Sequence, residues 1–426
     1  MHTARARPGW LTRDLALLLG ARGLRAFGLG SLSVVLGIHL QRLGLSGAQV
    51  GAVLAATVAG SALASLAASA VADRWGRRRF LVILGATMAV GVVALAFTSS
   101  FPLLIVLALA GSLASAGQEP FLTVEYAIIP QSCPPRERNN AFAAFSLLGA
   151  AASALGALAG ATPALLERSG VEGVWAFRTL FISHGALALT MLAIYTRLSS
   201  SVEVSALDRL PKPAAPRPLG LLVRLSSLFA VDAFAGGFVI QSFLSYWLYT
   251  RFGVPVEQLA LVFFIGGSLS ALSIPASAWL ANRFGQVPTM VFTHLPSNVF
   301  LVLVPLMPTA PLALALLLAR MALSSMDIPA RQAYIVSVVR PAERTAAAGV
   351  TGVARSLAAV PGPSLAGALV QVGALALPFF LAGSLKIAYD LALFALFRNI
   401  KPLREPEPTP FAEPGGGGED GLRRKA

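Results

Sequence analysis

Ionisable side chains occur inside stretches of the sequence that are otherwise apolar. A charge near the middle of a membrane costs about 2.5–3.5 kcal/mol on insertion scales, so each such residue is a candidate functional site. Asp327 and Arg331 are four residues apart, as are Lys386 and Asp390, and this spacing places two side chains on one face of a helix. Arg320 lies two turns before Asp327. The remaining members of this set are Arg22, Arg25, Glu119, Glu125, Asp232 and Arg355.

The elements that must carry these charges are membrane-spanning helices. The chain of 426 residues is 56% hydrophobic and 12% charged, which is about half the charged fraction of a soluble domain. Apolar runs of about 20 residues, the length that crosses a bilayer, recur twelve times, the fourth over about residues 101–128. The sequence therefore predicts an all-α membrane protein with 12 transmembrane helices.

Basic residues indicate how these helices are oriented. Arg and Lys concentrate in the two tails and in the even-numbered turns, so the positive-inside rule predicts that both termini are cytoplasmic. The net charge of +14 is thereby explained by topology and does not indicate nucleic-acid binding. We expect a multi-pass protein of the plasma or inner membrane whose surroundings are the lipid bilayer.

A long polar segment divides the chain into two halves of six helices each. The segment is rich in proline and reads as a cytoplasmic linker, and the C-terminal tail has a composition typical of disorder. The expected units are an N-terminal tail at 1–13, a bundle at 14–197, the linker at 198–218, a second bundle at 219–398 and the tail at 399–426.

The sequence ADRWGRRR, at residues 72–79, concentrates charge in the turn after the second apolar run. Arginines alone would be a topology signal, but an acid that orients an arginine and a glycine that permits a tight turn indicate docking. An echo of this octet, ANRFGQ, follows at residues 281–286 in the second half. The matched residues of this gate motif are Asp73, Arg74, Gly76, Arg77 and Arg78 in the first copy and Asn282, Arg283 and Gly285 in the second.

Twelve spans in two parallel halves, with this motif after the second span, resemble the major facilitator superfamily of secondary transporters, and its drug-proton antiporters in particular. The resemblance implies that the turn after span two bridges the halves on the cytoplasmic side when the protein is open to the outside. It also implies that spans one, four, seven and ten line a central cavity. On those spans the candidates for substrate binding and proton coupling are Arg22, Arg25, Glu119, Asp232 and Arg320.

Within that set we assign proton coupling to Asp232 and Glu119, and pairing with a substrate anion or an acid to the arginines. The candidates for an inner gate or for structural ion pairs are Glu125, Asp327, Arg331, Arg355, Lys386 and Asp390. A purely structural pair is favoured for Lys386 with Asp390. Glu125 and Arg331 occupy equivalent positions of the two halves, which suggests an ion pair across the interface between them.

Small residues mark two spans where helices bend or approach closely. The Gly-Pro signature of antiporters is reduced to Gly156 and Gly160 in span five, whereas span eleven carries Gly362, Pro363 and Gly367. Close packing of membrane helices and a kink that flexes during transport are both consistent with these residues.

These observations favour a secondary active transporter rather than an enzyme, and three functions stay open. The first is proton-coupled efflux of amphiphilic organic compounds or drugs by alternating access. The second is uptake of an anionic metabolite, which an excess of arginine over acid in spans one and ten favours. The third is a sensor or lipid-handling protein that does not transport.

Other classes of function lack their residues. The chain has no phosphate-binding loop, so direct ATP drive within it is not expected. Cys133 is the only cysteine and the four histidines are far apart, so we expect no disulfide, metal or other cofactor, and a proton gradient as the energy source. We expect the protein to act as a monomer on a small-molecule substrate.

Overall fold

The computed structural model describes residues 11–110, 120–204, 219–338 and 344–399. Within these ranges the regular structure is helical, with short 3₁₀ turns between some helices. The α-helices are α1 (Arg13–Arg42), α2 (Gly47–Trp75), α3 (Arg77–Phe97), α4 (Phe101–Leu109), α5 (Pro120–Ile128), α6 (Arg138–Ala159), α7 (Thr162–Arg168), α8 (Gly173–Thr196), α9 (Leu219–Gly237), α10 (Gln241–Phe252), α11 (Val256–Phe284), α12 (Gln286–Leu303), α13 (Ala310–Ser324), α14 (Asp327–Ser337), α15 (Arg344–Ala359), α16 (Pro361–Gln371) and α17 (Leu377–Phe397).

Eleven helical segments of the described chain are long and apolar enough to cross a membrane. They correspond to eleven of the twelve predicted spans. The remaining span, the fourth, comprises α4 and α5, and the residues between these two helices lie outside the described ranges. Glu119 lies there too, and most of the predicted linker and the C-terminal tail beyond residue 399 are likewise outside the described ranges.

Three spans of the second half are broken near their middle. Span seven breaks between α9 and α10, span ten breaks at Ser325 and Met326 between α13 and α14, and span eleven breaks at Val360 between α15 and α16. The last break directly precedes Pro361, whose ring suits the first turn of a helix. Breaks at this depth are tolerated where the freed backbone groups lie inside protein or line a cavity.

The helices cross the bundle alternately, so that α1 begins and α17 ends at one end of it. We call this the near end, and the opposite end, where α1 ends and α17 begins, the far end. At the far end the two halves are in backbone contact: a Cβ on Gly367 of α16 would lie 2.3 Å from the carbonyl oxygen of Gly47, at the start of α2. The backbone N–H of Ala48 also donates to Gln371 at 3.0 Å. Glycine at Gly47 and Gly367 is therefore what lets the halves close at the far end.

Within each half, another glycine permits a close helix crossing. A Cβ on Gly156 of α6 would lie 1.9 Å from the carbonyl oxygen of Phe27 in α1. A Cβ on Gly362 of α16 would lie 2.4 Å from the backbone of Gly237, at the end of α9. These two glycines pack helices inside one half, whereas Gly367 joins the two halves.

Candidate functional site

A cavity of about 480 Å³ lies between the two halves, near the middle of the bundle. Ser61 and Val58 of α2 line it on the N-terminal side. On the C-terminal side it is lined by α9, α14, α15 and α17, which contribute its charged residues, Asp232, Arg331, Arg355 and Lys386. A volume of this size is in the range of small-molecule sites, about 300–1,000 Å³. We call it the charged cavity.

Asp232 is the centre of the charged groups in this cavity. Lys386 donates to its Oδ1 at 2.5 Å, and Arg355 donates to its Oδ2 at 2.9 Å. The guanidinium of Arg331 lies 3.5 Å from the same Oδ2. The four side chains come from four helices, so the contacts of one carboxylate connect α9, α14, α15 and α17.

The cations exceed the carboxylates in this group. Arg331 donates to Asp327 at 2.7 Å, which gives this arginine a second acidic partner one turn away on α14. Among the described residues, two carboxylates thus face three cations, and Lys386 and Arg355 have Asp232 as the carboxylate partner that they share. Arg355 is also the most exposed of the three, with 25% of its side chain accessible. The described residues of the charged cavity therefore carry a net positive charge, and their most accessible cation is an arginine.

A second polar group lies behind Lys386. Asp390 is one turn further along α17 and contacts Nδ1 of His294 at 2.9 Å, while the amide of Asn298 donates to its other oxygen at 2.8 Å. The side chain of Asp390 is 1% exposed, and this acid is not among the residues that line the charged cavity. It is stabilised by α12 and is not an immediate partner of Lys386.

The N-terminal half has its own buried ion pair. Arg25 donates to both oxygens of Glu125, at 2.9 and 2.5 Å, and both side chains are 0% exposed. The hydroxyl of Tyr195 accepts from Arg25 at 2.6 Å and donates to Glu125 at 2.8 Å. The guanidinium also lies 4.6 Å from the ring centroid of Phe121. This closed group joins α1, α5 and α8.

The two ion pairs occupy equivalent positions with their charges exchanged. Arg25 corresponds to Asp232 and Glu125 to Arg331, with shifts of 207 and 206 residues along the sequence. Thus α1 carries the base and α5 the acid in the first half, whereas α9 carries the acid and α14 the base in the second. The bidentate geometry of the first pair contrasts with the several cations around the acid of the second.

Two partner assignments from the sequence are wrong. Glu125 and Arg331 do not pair across the halves, because each is already paired within its own half. Lys386 pairs with Asp232 of α9 rather than with Asp390, because Asp390 pairs with His294 of α12. Arg320 and Asp327 lie on separate helices, α13 and α14. The pair of Asp327 with Arg331 is present as expected.

The remaining candidates of the sequence are placed as follows. Arg22 of α1 lies beside Phe145 of α6, with its guanidinium carbon 5.6 Å from the centroid of the phenyl ring. Arg320 is in α13, where its carbonyl oxygen accepts from Ser297 at 3.3 Å. Neither arginine is among the residues that line the charged cavity. Reasoning from sequence missed His294, Asn298 and Tyr195, although the spacing of four between His294 and Asn298 on α12 was a signal that could have found these two.

Among the described residues, the first copy of the gate motif contacts the first half and the start of the predicted linker. Arg77 donates to Asp73 at 2.7 Å and to Gln131 at 3.1 Å, and Arg78 donates to the carbonyl oxygen of Leu198 at 3.0 Å. Glu203 accepts from the backbone N–H groups of Arg77 and Arg78 at the start of α3. Gly76 has φ +108°, a conformation that favours glycine.

The second copy of the gate motif has fewer partners. Gly285 has φ +92°, as the equivalent glycine of the first copy does, but Asn282 and Arg283 are exposed. The guanidinium of Arg283 lies 5.6 Å from the ring centroid of Trp279 on its own helix. Arg74 is also exposed. The turn geometry is thus repeated, whereas the network of hydrogen bonds is specific to the first half.

Metal binding has no support in the described part of the chain. No group of three or more His, Cys, Asp or Glu side chains is placed there to hold a metal ion.

Comparisons with known proteins agree with this architecture. The family model described as Major Facilitator Superfamily matches residues 18–325 and 251–423. The uncharacterized membrane protein YJR124C of Saccharomyces cerevisiae is 27% identical over 425 residues, covering 91% of this chain and 95% of that protein.

Several solved structures are similar in fold, among them two transporters. The nucleoside transporter NupG, in a mutant form, has a TM-score of 0.72 and 16% identity, over 90% of this chain and 100% of that one. A D-xylose-proton symporter has a TM-score of 0.69 and 17% identity, over 89% and 97%. At these identities the likeness extends to the fold only.

Proposed function

The chain belongs to the major facilitator superfamily, and from this premise we propose that it is a secondary transporter of small organic anions. It is a multi-pass membrane protein and a transporter of small molecules, not an enzyme. The observation that carries the proposal is the set of three cations around Asp232 in the charged cavity. The nucleoside and xylose transporters of similar fold take other substrates, so the proposal rests on this chain's own residues.

The excess of positive charge favours an anionic substrate over an apolar drug. Three cations share two carboxylates among the described residues, and a substrate carboxylate or phosphate would supply a further anion. Arg355 and Lys386 are placed to bind it because each has N–H donors beyond those used by its contacts with Asp232 and, for Arg355, with the carbonyl oxygen of Phe229. Efflux of amphiphilic drugs remains a prediction from the sequence alone.

We assign to Asp232 the role of an internal anion that the substrate displaces. When a substrate anion takes Lys386 and Arg355, the contact of α9 with α15 and α17 loosens. Those helices can then move relative to one another, and a proton can neutralise the carboxylate that has lost its partners. In this scheme Asp232 couples occupancy of the cavity to a change of shape and to proton movement. Glu119, which lies outside the described residues, keeps its predicted role as a second coupling acid.

The arrangement of the two halves corresponds to one state of an alternating-access cycle. With the near end in the cytoplasm, as the arginines of the gate motif favour, the far-end contacts of Gly47 and Gly367 close the outer side. The contacts of Arg77 and Arg78 within the first half are then those of a released gate. We propose that the same motif joins the halves when the far end opens. The plasma or inner membrane and a monomeric state complete this proposal.

The direct test of an anion site compares ligands that have the same alkyl chain but different charges. Hexanoate and hexyl phosphate are compared with hexanamide and hexylamine as stabilisers of the purified protein in a thermal-shift experiment, since a ligand of the folded state raises apparent stability. We expect stabilisation by the two anions and not by the amide or the amine. Equal stabilisation by all four, or by none, would overturn the proposal.

Two arginine variants test whether the anion binds in the charged cavity. Arg355→Met removes a cation of the charged cavity, and Arg251→Met removes an exposed arginine at the end of α10, away from the cavity. We expect the first to abolish the anion-induced shift and the second to preserve it. Because hydrogen bonds to charged groups contribute about 1.5–3 kcal/mol, the affinity should fall by at least tenfold in Arg355→Met.

A further inference from the structure

A smaller cavity of about 220 Å³ lies between α6 of the first half and α11 of the second. Small and apolar side chains dominate its lining, and none of the described residues that line it is charged. Those of α6 and α11 that form its opposite walls are Ala150, Ala154, Ala157, Phe263, Ala271 and Ile274. Because one water occupies about 30 Å³ in the liquid, the volume accommodates a short alkyl chain. We call this space the apolar cavity.

The apolar cavity adjoins the charged cavity at two helix breaks. Ile328, in the first turn of α14, lines both cavities. Ile240 lines the charged cavity and its neighbour in sequence, Gln241, lines the apolar one, at the junction of α9 and α10. The breaks in spans seven and ten therefore lie in the wall between the two spaces, where the side chain of Ile328 is common to both.

The few polar residues of the apolar cavity do not make it a second charged site. The hydroxyl of Ser270 donates to the carbonyl oxygen of Met321 at 2.7 Å, so its hydrogen is already used. Ile274 is 44% exposed, so the apolar cavity is not sealed from its surroundings at α11.

We propose that the two cavities together bind one amphiphilic anion. Its anionic head occupies the charged cavity beside Arg355 and Lys386, and its alkyl tail passes Ile328 into the apolar cavity between α6 and α11. The inference rests on the proposed function, because it adds a tail site to the anion site. It narrows the substrate class to anions that carry an apolar chain, such as alkyl carboxylates or alkyl phosphates.

Chain length at constant charge tests this inference. Butanoate, hexanoate and octanoate are titrated against the full-length protein in nanodiscs, and their dissociation constants are measured by calorimetry. Burying one methylene strengthens binding by up to about four-fold, so we expect affinity to rise at each step, by as much as roughly 15-fold per two methylenes. Equal affinities for the three acids would overturn the tail site while leaving the anion site in place. If none of the three binds, the anion site itself fails.

Variants that fill the apolar cavity separate it from simple partition into lipid. Ala271→Phe on α11 and Ala150→Phe on α6 introduce a ring from opposite walls at partly exposed positions. Ala186→Phe, exposed on α8, is the matched control. We expect the first two to bind butanoate as the unmodified protein does and to lose the gain with chain length, and the control to keep it. Retention of the full gain in both filling variants would refute the tail site.

Discussion

The two halves of the protein carry one ion pair each at equivalent positions, but with opposite charges and in different surroundings. In the first half, Arg25 and Glu125 form a bidentate pair that excludes solvent entirely. In the second half, the pair of Asp232 with Arg331 is loose, and Lys386 and Arg355 approach the same acid from a cavity. Among the described residues, the same position in the repeat is thus a solvent-free pair of one base with one acid in the first half and an acid shared by several cations beside a cavity in the second.

This difference assigns distinct tasks to the two halves. The ion pair of Arg25 with Glu125 is shielded from solvent, so we expect the first half to serve as a stable frame. A carboxylate shared by several cations can be exchanged for another anion without leaving any cation unpaired. The exchange of acid and base at the paired positions leaves the charge of the pair unchanged, and it is the additional cations Lys386 and Arg355 that make the surroundings of Asp232 positive.

Breaking the first pair should have the largest effect. In Glu125→Gln, Arg25 remains buried without its carboxylate, and we expect the free energy of unfolding to fall by about 3–5 kcal/mol. Denaturant unfolding in detergent measures this loss. The double variant Arg25→Met with Glu125→Met leaves no charge unpaired and should recover most of the stability. A single variant as stable as the unmodified protein would show that the pair is not structural.

Removing the acid of the second pair should strengthen anion binding, whereas removing one of its bases should weaken it. Asp232→Asn takes away the internal competitor for Lys386 and Arg355, so we expect hexanoate to bind roughly tenfold more tightly, since charge-assisted hydrogen bonds contribute about 1.5–3 kcal/mol. Proteoliposome transport should nevertheless fall, because the substrate is no longer released by exchange with Asp232. Weaker binding of hexanoate in this variant would contradict the displacement scheme.

Alanine substitutions at the glycines of close helix crossings should cost about 1–3 kcal/mol through overpacking. Whether this cost lowers stability or changes the conformation depends on which crossing is affected. Gly156→Ala acts within one half, at Phe27, and should lower the melting temperature. Gly367→Ala acts between the halves, at Gly47, and should open the far end instead. Distances between spin labels at Ser169 and Gln258, after Cys133→Ala, measure that opening. An unchanged distance distribution in Gly367→Ala would mean that this contact does not control closure.

The gate motif should show the smallest change in stability. Asp73 is 59% exposed in its pair with Arg77, and exposed pairs contribute less than about 1 kcal/mol. Transport should still fall more in Asp73→Asn than in Asn282→Ala, because the network around Arg77 and Arg78 exists in the first copy. Equal transport in the two variants would indicate that the motif is a topology signal only.

The sequence predicted the helical membrane fold because each apolar run identifies one span by its own length and composition, without reference to the rest of the chain. The charged residues of the cavity were all found in apolar runs, which needs no knowledge of packing; they are Asp232, Arg331, Arg355 and Lys386. Their partners depend on how the helices pack. Lys386 has an acid one turn away on its own helix, and only the packing of α9 against α17 decides that Asp232 is closer.

The sequence marks the break in span ten but not the contacts of Asp390. Pro329 lacks the backbone N–H that would donate to the carbonyl oxygen of Ser325, so the break at Ser325 and Met326 is accessible to sequence reasoning. His294 contacts Asp390 across 96 residues of sequence, and only the packing of the helices brings them together. The correspondence of Arg25 with Asp232 needs a shift of 207 residues rather than the 206 that relates Glu125 to Arg331, so the contacts of the two pairs were needed to recognise it.

The most direct test is the anion-induced thermal shift of two variants measured side by side. Hexanoate at about 100 times its dissociation constant adds about 2.7 kcal/mol to the stability of a protein that binds it. We predict that the double variant Arg25→Met with Glu125→Met keeps this shift, and that Arg355→Met keeps its melting temperature without ligand but loses the shift. The reverse pattern, with the shift lost in the first variant and kept in the second, would contradict the assignment of binding to the second half.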